Sequence, residues 1–322
     1  MKPMPGWYPV KLEFPLRGEA IMYWQDLSAA DFSVPFFEDA VRQARYQRPA
    51  LRETSLHELS EVSLPAAVAP TAFIFHTSRS GSTLLTQLLS CLDGSIVLSE
   101  PPIVDEVLLL TLPDEEKVQL LRQVLRTLGQ ARSGEDRHFF IKYDSWNLPW
   151  LPLIREAFPA VPCFFIYRRP IEILWSHHRQ RGSQMVPGLR NLMHLNIEFD
   201  RFPPADLDAF AAGVLESIFT QALHHVQRGN LIPLVYHRLV ESAEVDMMNR
   251  LGIVLSGGER ERMCRRSRFH SKRTSDPYHP EVELRIPTAV RERLEELADP
   301  ILMLTYSRIL ALTQGGDGLT NL

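Results

Sequence analysis

The chain has 322 residues, 45% of them apolar and 23% charged, which fits a globular protein of one large domain or two modest ones. Its formal net charge of −4 opposes nonspecific binding to nucleic acid, because the molecule as a whole repels phosphate at long range. Its three cysteines, Cys91, Cys163 and Cys264, are too scattered for a disulfide framework or a metal site. We therefore expect reduced thiols and no bound metal.

The N-terminal region is predicted to be an extension, residues 1–69, packed on the core and rich in proline and aromatic side chains. Its only periodic stretch, Phe37–Tyr46, predicts a short helix, and Leu59–Pro70 is interpreted as a linker. Residues 1–14 contain no apolar core of signal-peptide length, and no later apolar run approaches the ~20 residues that span a bilayer. The sequence therefore predicts a cytoplasmic protein that does not act at a membrane.

From residue 70 onward, short apolar runs alternate with stretches of helical periodicity, which predicts a mostly parallel sheet flanked by helices on both faces. The predicted strands are Ala72–His76, His138–Tyr143, Val161–Tyr167 and Leu231–Tyr236. The predicted helices are Ser82–Cys91, Asp114–Arg132, Leu151–Phe158, Pro170–Arg181, Leu207–Gln227 and Val245–Leu251. This α/β domain is expected to cover residues 70–313, with a disordered tail over residues 314–322.

Three predicted strands end in polar clusters, at His76–Thr83, Lys142–Asp144 and Arg168–Ser176. Open parallel sheets bind ligands at the carboxyl ends of their strands, so we expect these clusters to lie close together. The first cluster combines small residues and hydroxyls with Arg79 and runs into a helix, an arrangement whose backbone N–H groups and positive charge suit an anion. An ordinary capped helix is the alternative. The loop is not a Walker A sequence, because Ser82 stands where that motif requires lysine.

The run Arg79-Ser80-Gly81-Ser82-Thr83-Leu84-Leu85 resembles the 5′-phosphosulfate loop of sulfotransferases that use 3′-phosphoadenosine 5′-phosphosulfate (PAPS). It is similar to the arginine form found in tyrosylprotein, carbohydrate and bacterial members, whereas the cytosolic small-molecule group usually has lysine at the position of Arg79. The resemblance implies a P-loop NTPase-like fold, PAPS as cofactor and its product PAP. It assigns cofactor contacts to Arg79, Ser80, Gly81, Ser82, Thr83 and Leu84.

The third strand end, Arg168-Arg169-Pro170 followed by Ser176, resembles the family's 3′-phosphate segment. There the arginine and the serine hold the phosphate that distinguishes PAPS from ATP, so Arg168 and Ser176 are predicted to bind it. Arg169 departs from the aspartate or asparagine that family members more often have, without removing a ligand. Taken alone, the segment is also consistent with an exposed basic pair at a strand–helix junction.

Two further segments are similar to parts of the family's cofactor site. Tyr236 matches a tyrosine that lies near the adenine, although a core tyrosine at a strand end is an equally simple interpretation. Lys272 and Arg273, in a late basic stretch, match the place where many members close the cofactor site. The Arg-Lys-Gly…Gly signature of the cytosolic group is absent, and such basic runs are usually solvated faces.

A hydroxyl acceptor needs a general base, and the sequence offers two carboxylates. Glu100 stands at a place similar to that of the catalytic glutamate of tyrosylprotein and some bacterial sulfotransferases. Asp144 is the alternative, because the base of the cytosolic group is a histidine just past the corresponding strand, and Lys142 matches a lysine there. We prefer Glu100 as the base. The catalytic candidates are therefore Glu100, Arg79, Lys142 and Asp144.

The expected function is transfer of a sulfuryl group from PAPS to a hydroxyl or amine of a small-molecule acceptor. Gly182–Pro204 is the candidate acceptor lid, and together with Trp146 and Trp150 it favours an acceptor with apolar surface. The alternatives are an ATP-dependent phosphotransferase on the same scaffold and a non-catalytic protein that binds PAP.

Overall fold

The computed structural model describes residues 5–14, 19–59, 66–269, 285–298 and 300–315. The strands are β1 (Trp7–Glu13), β2 (Ile21–Asp26), β3 (Leu51–Ser55), β4 (Pro70–His76), β5 (Ser95–Ser99), β6 (His138–Lys142), β7 (Cys163–Tyr167) and β8 (Ile232–Val235). The helices are α1 (Phe37–Gln47), α2 (Leu56–Leu59), α3 (Ser82–Leu89), α4 (Pro102–Leu108), α5 (Asp114–Leu128), α6 (Leu151–Ala157), α7 (Pro170–Arg179), α8 (Leu207–Gln227), α9 (Leu239–Ser242), α10 (Met248–Leu251), α11 (Gly257–Ser267), α12 (Thr288–Ala298) and α13 (Ile301–Gly315). No helix among these residues is long and apolar enough to cross a membrane.

The described residues form a parallel sheet of five strands in the order β5-β6-β4-β7-β8. Side chains of β4 alternate between its faces: Ala72 and Ile74 join one apolar cluster, and Phe73 and Phe75 join the other. The first cluster includes leucines of α3, and the second includes apolar residues of α5 and α8. Both faces of the sheet are therefore buried under helices, which confirms the predicted fold class.

The strand order brings the polar strand ends together. Within the parallel sheet, the central strand β4 comes first in the chain. Strands β5 and β6 follow on one side of it, and the chain then crosses over to form β7 and β8 on the other side. At such a reversal, loops leave the two sides of the sheet in opposite directions and open a crevice at the carboxyl ends of the strands. The loops that follow β4, β6 and β7 therefore border the same crevice.

The N-terminal region contains a three-stranded antiparallel sheet, β1-β2-β3, that the sequence interpretation missed. Of the elements in this region, only the helix predicted at Phe37–Tyr46 is confirmed, as α1. The sheet contacts the parallel domain through Gln130, whose side chain accepts from Gly6 N at 2.7 Å and donates to Trp7 O at 2.8 Å. Pro9 lies inside β1, where the register shifts, and a proline in a strand weakens the sequence signal for it.

Several predicted boundaries are corrected. Leu59–Pro70 is not a simple linker, because Leu59 ends α2, Ala67 pairs with Gln130 and Pro70 begins β4; residues 60–65 lie outside the described residues. Gln314 belongs to α13, so the predicted tail begins too early, and residues 316–322 lie outside the description. The sequence interpretation gave no bounds for strand β5, and helix α4 was not predicted. Cys163 is buried in β7, which confirms the predicted strand Val161–Tyr167.

Candidate active site

The loop between β4 and α3 has an unusual backbone. Ser78, Arg79 and Gly81 have positive φ angles of 62°, 47° and 86°. Outside glycine this region costs roughly 1–3 kcal/mol per residue, and such strain collects at ligand-binding sites. Among described non-glycine residues, only Glu100 and Asn196 share the feature, and Glu100 belongs to the same edge of the sheet. The backbone conformation of the loop is therefore locally unfavourable for its non-glycine residues, and contacts with the rest of the fold must stabilise it.

Hydrogen bonds to two other parts of the chain fix the loop. The amide of Thr77 and the hydroxyl of Ser80 both donate to Ile166 O in β7, at 3.1 and 3.0 Å. The Gln184 side chain donates to the Ser78 hydroxyl at 2.9 Å. The Ser80 hydroxyl, predicted to contact the anion, therefore anchors the loop to the neighbouring strand in this structure.

Arg79 lies at the tip of the loop and reaches the end of α7. Its guanidinium donates to Gln180 O at 2.9 Å. Burial and the nearby Arg179 guanidinium lower the pKa of Arg79, although it keeps its charge at neutral pH. Because Gln180 follows the last residue of α7, this contact joins the loop after β4 to the far end of the helix after β7.

Arg168 and Tyr236 meet beside the same loop. The Arg168 guanidinium lies over the Tyr236 ring at 4.3 Å from its centroid, and its Nε donates to Glu172. A side chain on Gly81 would place its Cβ only 2.7 Å from the Tyr236 ring, so glycine is needed there for close packing as well as for its φ angle. Residues that follow β4, β7 and β8 thus lie close together, although they are far apart in sequence.

Helix α7 runs alongside the loop rather than pointing at it. Arg168 precedes its first turn, and the residue after its last turn, Gln180, accepts from Arg79. Ser176 lies between these two ends and is partly exposed. Both ends of α7 therefore border the loop, and Ser176 lies on the helix between them.

A buried charged cluster lies on the other side of β4. The register pairs Ser99 of β5 with Lys142 of β6, so Glu100 follows directly, and its amide donates to Lys142 O at 2.7 Å. Glu100 Oε1 then lies 3.0 Å from Lys142 Nζ and 3.3 Å from Nε2 of His76. Lys142 Nζ also donates to Thr83 Oγ1 at 3.5 Å, which connects the cluster to the first turn of α3.

The cluster keeps Glu100 ionised. Burial alone would raise the pKa of the Glu100 carboxyl, but the Lys142 ammonium and the His76 contact outweigh it and lower that pKa to about 2. The Glu100 side chain is 23% exposed, whereas that of Lys142 is 1% exposed. The carboxylate is thus the part of the pair that solvent, or a small molecule, can reach.

The pKa of Asp144 shifts in the opposite direction to that of Glu100. Burial, the Glu100 carboxylate and nearby Asp105 raise the pKa of Asp144 well above its ordinary value. Its backbone amide donates to Asn147 Oδ1 at 3.0 Å, at the start of the 3₁₀ segment Ser145–Trp150. Of the two candidate bases, Glu100 is therefore the one whose surroundings favour the ionised form, whereas those of Asp144 oppose it.

The structure resembles sulfotransferases of known structure. It matches an Alicyclobacillus acidocaldarius sulfotransferase with a TM-score of 0.46 and 13% identity, over 77% of this chain and 97% of that one. A Mycobacterium avium sulfotransferase matches with a TM-score of 0.49 and 10% identity, over 84% and 80% of the two chains. A mouse sulfotransferase complexed with PAP matches with a TM-score of 0.44 and 14% identity, over 80% and 96%. No family model and no curated protein sequence matches the chain.

Most of the predicted site residues meet at one edge of the sheet. Those in or beside the crevice are Arg79, Ser80, Gly81, Ser82, Thr83, Leu84, Glu100, Lys142, Asp144, Arg168, Ser176 and Tyr236. Lys272 and Arg273 lie outside the described residues. Within the described part of the chain, no group of three histidine, cysteine or acidic side chains is arranged to hold a metal ion.

Sequence reasoning assigned no role to four residues that touch the site: His76, Glu172, Gln184 and Phe36. His76 is the last residue of β4, so its place at a strand end was a usable signal. Glu172 stands four residues after Arg168 on a helix, a spacing typical of ion pairs. Gln184 belongs to the predicted lid segment Gly182–Pro204 but was not singled out there, and the position of Phe36 is revealed only by the folded chain.

The segment Gly182–Pro204, predicted to be the acceptor lid, contacts the loop after β4 and also the segment after β6 that contains Trp146. It contacts the loop through Gln184, and its Arg190 guanidinium lies 5.2 Å from the Trp146 ring centroid. A cavity of about 520 Å³ lies elsewhere, between α1 and Pro102. The site is therefore identified by its side chains and strand ends and not by that cavity.

Proposed function

We propose that the protein is a PAPS-dependent sulfotransferase acting on a hydroxyl or amine of a small molecule. The observation that carries the proposal is the meeting of two kinds of group at one edge of the sheet. One is a strained loop with Arg168 and Tyr236 beside it. The other is the Lys142–Glu100 pair, joined to that loop through Thr83.

The donor fits the first group of residues. Arg79 and the backbone of the strained loop suit a 5′-phosphosulfate, since such loops direct N–H groups toward an anion. Arg168 and Ser176 suit the 3′-phosphate, and the Tyr236 ring suits the adenine. The Nε–H of Arg168 is used by Glu172, but the guanidinium carries further donors on its two terminal nitrogens. Partly exposed arginines of this kind bind phosphate well.

The second group of residues suits the transfer itself. Bound PAPS supplies the sulfuryl group and a phosphate leaving group, and transfer of this type depends on positioning and charge stabilisation. Arg79 and Lys142 meet the negative charge that develops on the leaving oxygen. Glu100 takes the proton of the acceptor hydroxyl.

The pairing of Glu100 with Lys142 explains how a carboxylate of low pKa acts as a base. While the ammonium stays 3.0 Å away, the pKa of Glu100 is about 2 and its proton affinity is low. Negative charge that develops on the leaving oxygen draws on the same ammonium, so Lys142 stabilises the Glu100 carboxylate less and the pKa of Glu100 rises. The proton is then taken at the stage when the acceptor oxygen becomes acidic.

A transfer assay tests the proposal. Purified protein is incubated with radiolabelled PAPS and a panel of phenols, aliphatic alcohols and amines, and products are identified by mass spectrometry. We expect label on at least one acceptor without added metal. The same panel is run in parallel with Mg²⁺-ATP labelled on its γ-phosphate. Transfer from ATP and none from PAPS would contradict the proposal in favour of a phosphotransferase. Binding of PAP without transfer to any member would favour a non-catalytic PAP-binding protein.

A further inference from the structure

A segment of the N-terminal region lies against the helix of the phosphate loop. The side chain of Gln87, on α3, donates to Ser33 O at 2.7 Å. The other amide atom of Gln87, Oε1, accepts from Arg266 Nε at 3.1 Å. Because Gln87 is buried and held from both sides, the chain around Ser33 has a defined position next to α3. Phe36 follows three residues later, immediately before α1.

Phe36 contacts the charged cluster directly. Lys142 Nζ lies 4.8 Å from the centroid of the Phe36 ring, within the range of a cation–π interaction. The same ammonium lies 3.0 Å from Glu100 and 3.5 Å from Thr83. A lysine ammonium is strongly hydrated in water, so a fully buried one needs substitutes for its water molecules. The face of the Phe36 ring supplies one substitute, in addition to the two oxygens.

We propose that the N-terminal extension completes the transfer site, with Phe36 as the positioning residue that shields Lys142 and directs its ammonium toward Thr83 and Glu100. This inference rests on the proposed function, because it gives Phe36 a role in the same transfer. It follows that the extension belongs to the half of the site where chemistry occurs.

Shielding has a direct chemical readout that needs neither donor nor acceptor. Acylation of lysines by acetic anhydride, followed residue by residue with mass spectrometry, reports how accessible each amine is. Lys142 is buried under the Phe36 ring, and Lys117 is similarly buried with its Nζ 4.5 Å from the Trp150 ring centroid. Lys117 is therefore a matched internal control for global opening of the fold.

The variants are Phe36→Ala, Phe36→Tyr and the control Phe32→Leu. Phe32 belongs to the same segment but packs elsewhere. Its ring centroid lies 5.2 Å from the centroid of the Tyr8 ring and 4.4 Å from the Arg132 guanidinium carbon. We expect Phe36→Ala to speed acylation of Lys142 about tenfold or more, with Lys117 unchanged. Phe36→Tyr keeps a ring and restores the slow rate, and Phe32→Leu leaves both lysines at the wild-type rate.

In transfer assays, Phe36→Ala is expected to lower kcat about tenfold, which corresponds to about 1.4 kcal/mol, without changing the Kd for PAP. The proposal would be overturned if Lys142 in Phe36→Ala were acylated at the wild-type rate. It would also be overturned if Phe32→Leu sped acylation of Lys142 as much as Phe36→Ala does. Faster acylation of Lys117 as well would assign Phe36 a merely structural role and contradict the inference. If wild-type protein transfers nothing, the proposed function fails, while the acylation result still decides whether Phe36 shields Lys142.

Discussion

The two halves of the candidate site neutralise their charges in different ways. On the side of β7, the Arg79 and Arg168 guanidinium groups are partly exposed and meet a carbonyl, an aromatic ring and one carboxylate. On the side of β6, Lys142 is fully buried and is paired with Glu100. Partly exposed arginines can exchange their contacts for a phosphate from water at modest cost, whereas a buried pair is expensive to separate. The first half therefore suits binding, and the second suits chemistry.

The same contrast predicts which quantity each substitution changes. A change in the half formed by β4, β7 and β8 should appear mainly in nucleotide affinity. A change in the half formed by β5 and β6 should appear mainly in the rate of transfer.

Glu100→Gln is expected to have the largest effect. The amide keeps the shape of the side chain but cannot take a proton, so the rate of single-turnover transfer should fall by ~10²-fold or more. PAP affinity, measured on the same protein, should hardly change and also shows that the variant is folded. Asp144→Asn is the matched control and should cost much less, because burial and the Glu100 carboxylate raise the pKa of Asp144 and disfavour its ionised form. An inactive Asp144→Asn beside an active Glu100→Gln would reverse the assignment of the base.

Arg79→Ala examines the border between the two halves. Arg79 belongs to the loop of the binding half, but it is assigned to charge that develops on the leaving oxygen. Contacts of that kind act mainly in the transition state, so we expect the transfer rate to fall by ~10-fold to 10²-fold and PAP affinity to fall less. Stopped-flow transfer and PAP titration on the same preparation measure the two effects. Weaker PAP binding with an unchanged rate constant would place Arg79 wholly in the binding half.

Asp144→Asn carries a smaller, pH-dependent prediction for stability. Burial and the Glu100 carboxylate raise the pKa of Asp144 in the folded state above its ordinary value of 3.8. Folding therefore favours the protonated form, and this contribution is complete below pH 3.8 and is lost as the pH rises through the folded pKa. The asparagine variant has no such loss. Relative to wild type, its free energy of unfolding should rise between pH 4 and pH 8, as measured by urea denaturation; a constant difference would contradict the raised pKa.

Regular periodicity made most of the parallel domain predictable from sequence. Runs such as Cys163–Tyr167 are apolar throughout because both faces of their strand are buried, and Leu207–Gln227 repeats apolar residues with helical spacing. Strand β5 was given no bounds because its five residues begin and end in serine and follow a turn closely. Strand β3 was missed because Arg52 and Glu53 interrupt any apolar alternation.

The site was predictable to the extent that motifs mark it. The loop at Arg79 and the Arg168 segment stand directly after strands, so their place at the edge of the sheet followed from the fold class. The contact between Glu100 and Lys142 depends on β6 lying between β5 and β4, and strand order is not encoded in local periodicity. The contact of Phe36 depends on how a separate antiparallel sheet docks, which no motif in the sequence describes.

The central claim is that the crevice holds a nucleotide by two phosphate sites, one at the strained loop and one at Arg168. Calorimetric titration with PAP, 5′-AMP and Mg²⁺-ATP tests it most directly, with Arg168→Ala as the matched variant. Charge-assisted hydrogen bonds contribute roughly 1.5–3 kcal/mol each, so PAP should bind more than about tenfold tighter than 5′-AMP without metal. Arg168→Ala should remove most of that difference and leave 5′-AMP binding nearly unchanged. Equal affinities of wild-type protein for PAP and 5′-AMP, or tighter binding of Mg²⁺-ATP than of PAP, would contradict the account.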